Sequence, residues 1–201
     1  MTTGTGRTRR DEMSSSGTGK YERLLVRCRS LEAVPTAVAY PCEETALAGA
    51  IEAGCKGLIA PILVGPIGLI TGLAESSGID LGQARIIDAP DSRGSAAKAV
   101  ELVRQGKAEL LMKGSLHTDE LLGAVVSKET GLRTGHRISH VFIMDVPTYH
   151  KVLIVTDAAI NIAPTLEDKV DICQNAIDFM RSLGNEEPKI AILAGVETVT
   201  S

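Results

Sequence analysis

The sequence has 201 residues, is 44% apolar and 23% charged, contains no tryptophan, and carries a formal net charge of −4. That length holds one large or two small domains with a real core, and the apolar content excludes disorder for most of the chain. The mild acidity argues against nucleic acid as a partner. No run reaches the roughly 18–20 uncharged apolar residues of a membrane span, so no membrane role is expected.

Residues 1–18 are Gly, Ser, Thr and Arg without periodicity and read as a disordered tail. From Lys20 to Leu31, Leu24, Leu25, Cys28 and Leu31 fall on one helical face. A strand, a helix and a second strand follow at Thr36–Tyr40, Glu43–Ala53 and Gly57–Val64. The second strand is apolar throughout, as a strand covered on both faces should be, and its Pro61 asks for an edge position or a bulge. Pro66–Ser77 reads as a helix, Ala84–Asp88 as a strand, and Ser92–Gly106 as a helix packing through Ala96, Ala97, Val100, Leu102 and Val103. Leu110–Lys113 is a strand and His117–Ser127 a helix.

The pattern then changes. Ile138–Val146 and Lys151–Val155 are separated by a link too short for a helical crossover, so they are expected as an antiparallel hairpin. Leu166–Leu183 is a long amphipathic helix, and Pro188–Ala194 a final strand. The alternation predicts an α/β fold, a three-layer α/β/α sandwich. A strand with no crossover after it suggests a sandwich that is incomplete at the C-terminus.

Ligands of open α/β sheets bind beyond the carboxyl ends of the strands, so the polar residues there are the candidates. After the third strand, Ser92 is placed to cap the next helix, with Arg93 beside it. After the fourth, Lys113, Gly114, His117 and Thr118 bring together an amine, a close-approach backbone and a hydroxyl-bearing helix start. That is the equipment a phosphate dianion needs. After the hairpin, Asp157 and Asn161 sit in a loop of small residues suited to lining a cleft, and Thr165 is placed to cap the long helix. His136 and His140 lack a third ligand at metal spacing, so no metal is expected. The four widely spaced cysteines read as reduced thiols of a cytoplasmic protein. No dinucleotide fingerprint and no P-loop is present.

Four stretches together resemble the phosphate acetyl/butyryl transferase family: residues 113–118 (KGSLHT), 137–145 (RISHVFIMD), 156–165 (TDAAINIAPT) and 188–199 (PKIAILAGVETV). The resemblance runs from about residue 20 to the end. It implies an isocitrate/isopropylmalate-dehydrogenase-like fold of two α/β domains, with residues 19–201 supplying the N-terminal domain and part of the second. It implies reversible transfer of a short acyl group, acetyl or butyryl, between coenzyme A and inorganic phosphate. The partners would be acyl-CoA, phosphate and acyl phosphate; the cofactor expectation is none, with coenzyme A as substrate, and the assembly expected is a homodimer.

The residues matched as substrate- or phosphate-binding are Lys113, Gly114, His117, Thr118, Asp157 and Asn161. The family's Ser-Arg pair and its aspartate base are expected beyond Ser201, so no catalytic residue is assigned, and neither Asp145 nor Asp157 takes the base's place. Two other readings stay open: an acyltransferase that uses acyl-ACP and phosphate, and a non-catalytic binding or assembly fragment.

Overall fold

The computed structural model describes residues 19–193. The tail expected at 1–18 and the last residues of the final segment lie outside that range. The chain divides into two compact units, residues 1–133 and 134–201.

The first unit begins with α1 (Lys20–Cys28), which buries none of its residues fully. Four parallel strands follow: β1 (Val34–Ala39), β2 (Ile59–Val64), β3 (Arg85–Ile87) and β4 (Leu110–Lys113). Each is joined to the next by a helix: α2 (Glu44–Cys55), α3 (Ile67–Ser77) and α4 (Ser92–Arg104). Helix α5 (Thr118–Val125) comes after β4.

Alternation along the strands sends side chains to opposite faces. Ala37, Ala39, Ile62 and Val64 pack with Ala96, Ala99 and Leu102 of α4 and Leu121 of α5. Val38 and Leu63 pack on the other face with Leu47, Ala50, Ile70 and Ala74 of α2 and α3. Within this unit the three-layer sandwich is therefore realised. Small side chains on the α4 face of β1 let that helix lie close. Ala97 departs from its expected place and is exposed, because the buried stripe of α4 runs through Ser95, Ala96, Ala99, Val100 and Leu102.

The strand order is β3-β2-β1-β4. The chain steps outward from β1 to β3 and then returns across the sheet to place β4 on the other side of β1. A topological switch point thus lies between β1 and β4. Pro61 is not on an edge strand, since β2 has neighbours on both sides. It is tolerated because β3 pairs only from Ile62 onward, leaving Pro61 opposite Thr36 of β1 alone.

The second unit contains a hairpin, β5 (Phe142–Met144) and β6 (Leu153–Val155), and the helix α6 (Leu166–Ser182). The strands are antiparallel, as expected, but shorter than the apolar runs that announced them. Thr165 caps α6: its hydroxyl accepts from the Asp168 amide (3.2 Å), and the Asp168 carboxylate accepts from the Thr165 amide (2.9 Å).

The final strand expected at Pro188–Ala194 is not found over residues 188–193, which take no regular structure. An extended segment becomes a strand only when a neighbour accepts its ladder, and Ile192 and Leu193 are instead 78% and 89% exposed.

Candidate functional site

The carboxyl rim of the four-stranded sheet is continued past the strands by backbone hydrogen bonds. Tyr40 donates to Val64 (2.8 Å), Gly65 to Ile87 (3.1 Å), Gly114 to Ala39 (2.8 Å) and Ser115 to Tyr40 (2.9 Å). At the switch point the β1 and β4 ends are drawn together closely. A Cβ on Gly114 would collide with the carbonyl oxygens of Ala39 and Tyr40, so this position admits only glycine. Tyr40 answers by adopting a left-handed backbone (φ 53°), a conformation that costs a bulky residue free energy and recurs at functional sites.

Ser115 completes the closure. Its hydroxyl donates to the Tyr40 carbonyl (2.9 Å) and accepts from the Cys42 amide (3.1 Å). Burial pushes the Cys42 thiol up, so it is held protonated beside this corner.

Lys113, the last residue of β4, is exposed at this rim, with its ammonium 3.3 Å from the Gly114 carbonyl. His117 is the N-cap of α5 and Thr118 its first residue, both exposed. Lys113, Gly114, His117 and Thr118 are thus brought together on one loop of the first unit.

The neighbouring rim corrects one expectation. Asp91, not Ser92, caps α4, accepting from the Gly94 amide at 2.7 Å. A carboxylate one residue earlier suits the helix start better than a hydroxyl at the first helical position. Ser92 donates instead to Oε1 of Glu120 (2.9 Å), while Oε2 of the same carboxylate accepts from the His117 amide (3.2 Å). Arg93 lies 3.6 Å from Glu120 Oε1, with its side chain 86% exposed. Sequence reasoning passed over Glu120. Its signal was the third helical position after a cap, where Glu reaches back to a cap amide.

Asp157 and Asn161 belong to the second unit. Asp157 Oδ1 accepts from the amides of His140 (2.9 Å), Ala159 (3.3 Å) and Ile160 (3.3 Å); Oδ2 accepts from the Asn161 amide (2.7 Å) and from the Asn161 side chain. Partial burial pushes this carboxyl up, but the amides outweigh it and bring its pKa down to about 2. Asn161 donates to the Ile138 carbonyl (2.9 Å) and accepts from Arg137 Nε (3.0 Å), which also pairs with Asp168 at 3.0 Å. This pair is committed to holding its own loop. The charge on Asp157 is spent on amides, which makes it a poor general base at neutral pH.

Among the described residues no group of three or more His, Cys, Asp or Glu side chains could hold a metal ion, and no helix is long and apolar enough to cross a membrane. A hollow of about 510 Å³ lies at the other end of the sheet, at the amino ends of β1, β2 and β3. Its walls include Pro35, Ile51, Ile59, Pro61 and Leu81. It is mostly apolar where the rim is polar.

A parallel sheet with a switch point, a strand junction that admits only glycine and a lysine exposed at its lip define an α/β protein of the kind that receives ligands beyond its strand ends. Comparison with known proteins narrows this. Residues 92–201, just over half of the chain, match the family model described as phosphate acetyl/butaryl transferase, and the chain belongs to that family. It is 56% identical over 182 residues to a phosphate acetyltransferase of Rhizobium meliloti, covering 90% of this chain and 58% of that one. It is 35% identical over 179 residues to a phosphate butyryltransferase of Clostridium acetobutylicum, covering 89% of this chain and 60% of that one. Among solved structures, a branched-chain phosphotransacylase from Enterococcus faecalis V583 superposes with a TM-score of 0.65 at 26% identity, over 83% of this chain and 58% of that one. The chain therefore spans somewhat over half the length of the relatives it matches.

Proposed function

We propose that this chain carries the phosphate-gripping part of an acyltransferase that moves a short acyl group reversibly between coenzyme A and inorganic phosphate. The observation that carries the reading is the Lys113–Thr118 loop at the β1/β4 switch point, with an exposed ammonium at the lip of a crossing that only glycine permits. Family membership supports the reaction class. Acetyl is the acyl group favoured, because the 56% identical relative is a phosphate acetyltransferase and the butyryltransferase is only 35% identical.

In the forward direction the coenzyme A thiolate attacks the carbonyl carbon of the acyl phosphate. The C–S bond forms, the C–O bond to phosphate breaks, and the electron pair leaves with the phosphate oxygen. A cation at the leaving oxygens lowers the barrier by stabilising that charge. In this reading Lys113 supplies it, while Gly114, His117 and Thr118 shape the cradle around the phosphoryl group. Asp157 and Asn161 act indirectly, by fixing the 156–165 loop. The base that takes the thiol proton is not assigned to any residue of this chain.

The two units are read as an N-terminal α/β domain and part of a second, which their separation after residue 133 supports. A cytoplasmic setting fits the free thiols of Cys28, Cys42, Cys55 and Cys173, and a homodimer is taken over from the family resemblance.

The test is Lys113→Ala in the full-length protein, assayed with acetyl-CoA and phosphate. Losing one charge-assisted contact of about 1.5–3 kcal/mol should raise the apparent KM for phosphate about 10- to 100-fold. Unchanged KM and kcat would remove Lys113 from the site and the reading with it.

A further inference from the structure

Resting on the phosphate-site reading above, we infer that Glu120 is a positioning residue: its carboxylate clamps the first turn of α4 to the N-cap of α5 and so fixes the backbone of the Lys113–Thr118 loop for phosphate. Three contacts converge on this one side chain. Ser92 donates its hydroxyl at 2.9 Å, the His117 amide donates at 3.2 Å, and the Arg93 guanidinium stands 3.6 Å away. Ser92 lies 28 residues from Glu120 in sequence, so the contact is a tertiary tie between two elements and not a turn of one helix.

The clamp sits where it can matter. The Glu120 side chain is only 15% exposed, in contrast to the open flank on which Arg93 lies. Ser92 is the first residue of α4, and Asp91 before it already serves as that helix's cap. The hydroxyl is therefore left to look outward to its neighbour. On the other side, the His117 amide is the last backbone donor before α5 begins, and the loop behind it runs through Leu116, Ser115 and Gly114 to Lys113. Ser115 pins the far end of that loop to Tyr40 and Cys42. The loop is thus held at two points: a hydroxyl at the strand end and a carboxylate at the helix end.

Remove the carboxylate and the helix end is free to shift while the strand end stays put. Glu120 also places a negative charge against two helix starts, where it would repel a phosphate that came too close. Its contribution is then geometric: it sets the loop's shape without itself meeting the anion. Loss of such a residue weakens binding more than turnover, because misplacing a binding group removes ground- and transition-state contacts alike.

The experiment compares Glu120→Ala, Glu120→Gln and Ser92→Ala with Lys113→Ala in the full-length protein, reading KM for phosphate, kcat and the melting temperature of each. Expected for Glu120→Ala is a rise in KM of about 5- to 20-fold with kcat within twofold. Glu120→Gln keeps one acceptor oxygen and should recover most of that loss. Ser92→Ala should raise KM about twofold to threefold at an unchanged melting temperature.

A Glu120→Ala enzyme with wild-type KM overturns the inference. So does a parallel fall of kcat and melting temperature that Glu120→Gln does not restore, because that marks a merely structural residue. If Glu120→Ala fails to fold, Ser92→Ala decides alone, with an unchanged KM counting against the clamp. Lys113→Ala separates the two claims. A wild-type KM there fells the phosphate site and the clamp together, whereas a raised KM beside an unaffected Glu120→Ala fells the clamp only.

Discussion

The two units of this chain are held by different forces. The first has a sheet with both faces covered, and Val38, Leu63, Val64, Leu47 and Ile70 within it are fully out of water. Among its described residues the second buries only the apolar side chains of Ile172 and Ala176, while Phe142, Ile143 and Met144 of the hairpin are all exposed. What organises it is polar: the Asp157 carboxylate gathers amides from two segments, and Asn161, Arg137 and Asp168 extend that network to the start of α6. A hairpin of two three-residue strands cannot build a buried face, so hydrogen bonds to charged groups carry what packing does not. Order from burial resists a change of pH; order from a carboxylate does not.

The largest expected effect tests the apolar unit. Leu63→Ala removes a side chain that is 0% exposed. It should cost about 3 kcal/mol in the unfolding of the first unit, read as a lowered denaturant midpoint at unchanged slope. A loss under about 1 kcal/mol would mean the site collapses onto the gap and the core is looser than its burial implies.

Next comes the polar unit. Asp157→Asn should lower the stability of the second unit by about 1–2 kcal/mol at neutral pH, discounted for partial exposure. The sign follows from the depressed pKa of about 2 in the folded state. The contribution is complete above the unfolded carboxyl value of about 4 and is lost as pH falls toward 2. Protection of the Ala159–Asn161 amides from exchange, taken relative to the intrinsic rate at each pH, should therefore fall in the wild type between pH 4 and 2 and show no such step in the variant. A variant whose exchange retains that step would assign it to another carboxylate.

The smallest effect is expected on the hairpin, where Ile143→Thr should change stability by less than about 0.5 kcal/mol. A larger loss by thermal unfolding would show that this face is packed after all and would erase much of the contrast between the units.

Much of the first unit is legible in its sequence because its strands are buried on both faces and its helices keep a regular stripe, two signals that act locally. The strand order is not, since nothing local says that the chain returns across β1 after β3. The cap of α4 was misplaced by one residue because Asp91 and Ser92 are both good caps, and only the position of the Gly94 amide decides between them. Pro188–Ala194 has strand composition, but composition reports what a segment could pair with, not whether a partner is there. In the candidate site, the rim position of Lys113 and the tight approach at Gly114 are legible because a lysine and a glycine end an apolar run. Glu120 was missed because its role needs Ser92, a residue on another helix. For Asp157 the sequence suggests a loop that lines a cleft, and what local reading does not show is that its carboxylate anchors that loop through five donors.

The return of the chain across β1 has a consequence for how the molecule is made. β1 meets β2 through residues 25 apart, Val34 and Ile59, but meets β4 only through residues 74 apart, Thr36 and Leu110. Closing the longer loop costs about 1 kcal/mol more in chain entropy. On a chain emerging from the ribosome, three strands can assemble before the fourth exists. The lysine-bearing corner is then the last part of the sheet to form, and its arrival closes the carboxyl rim that begins with β1.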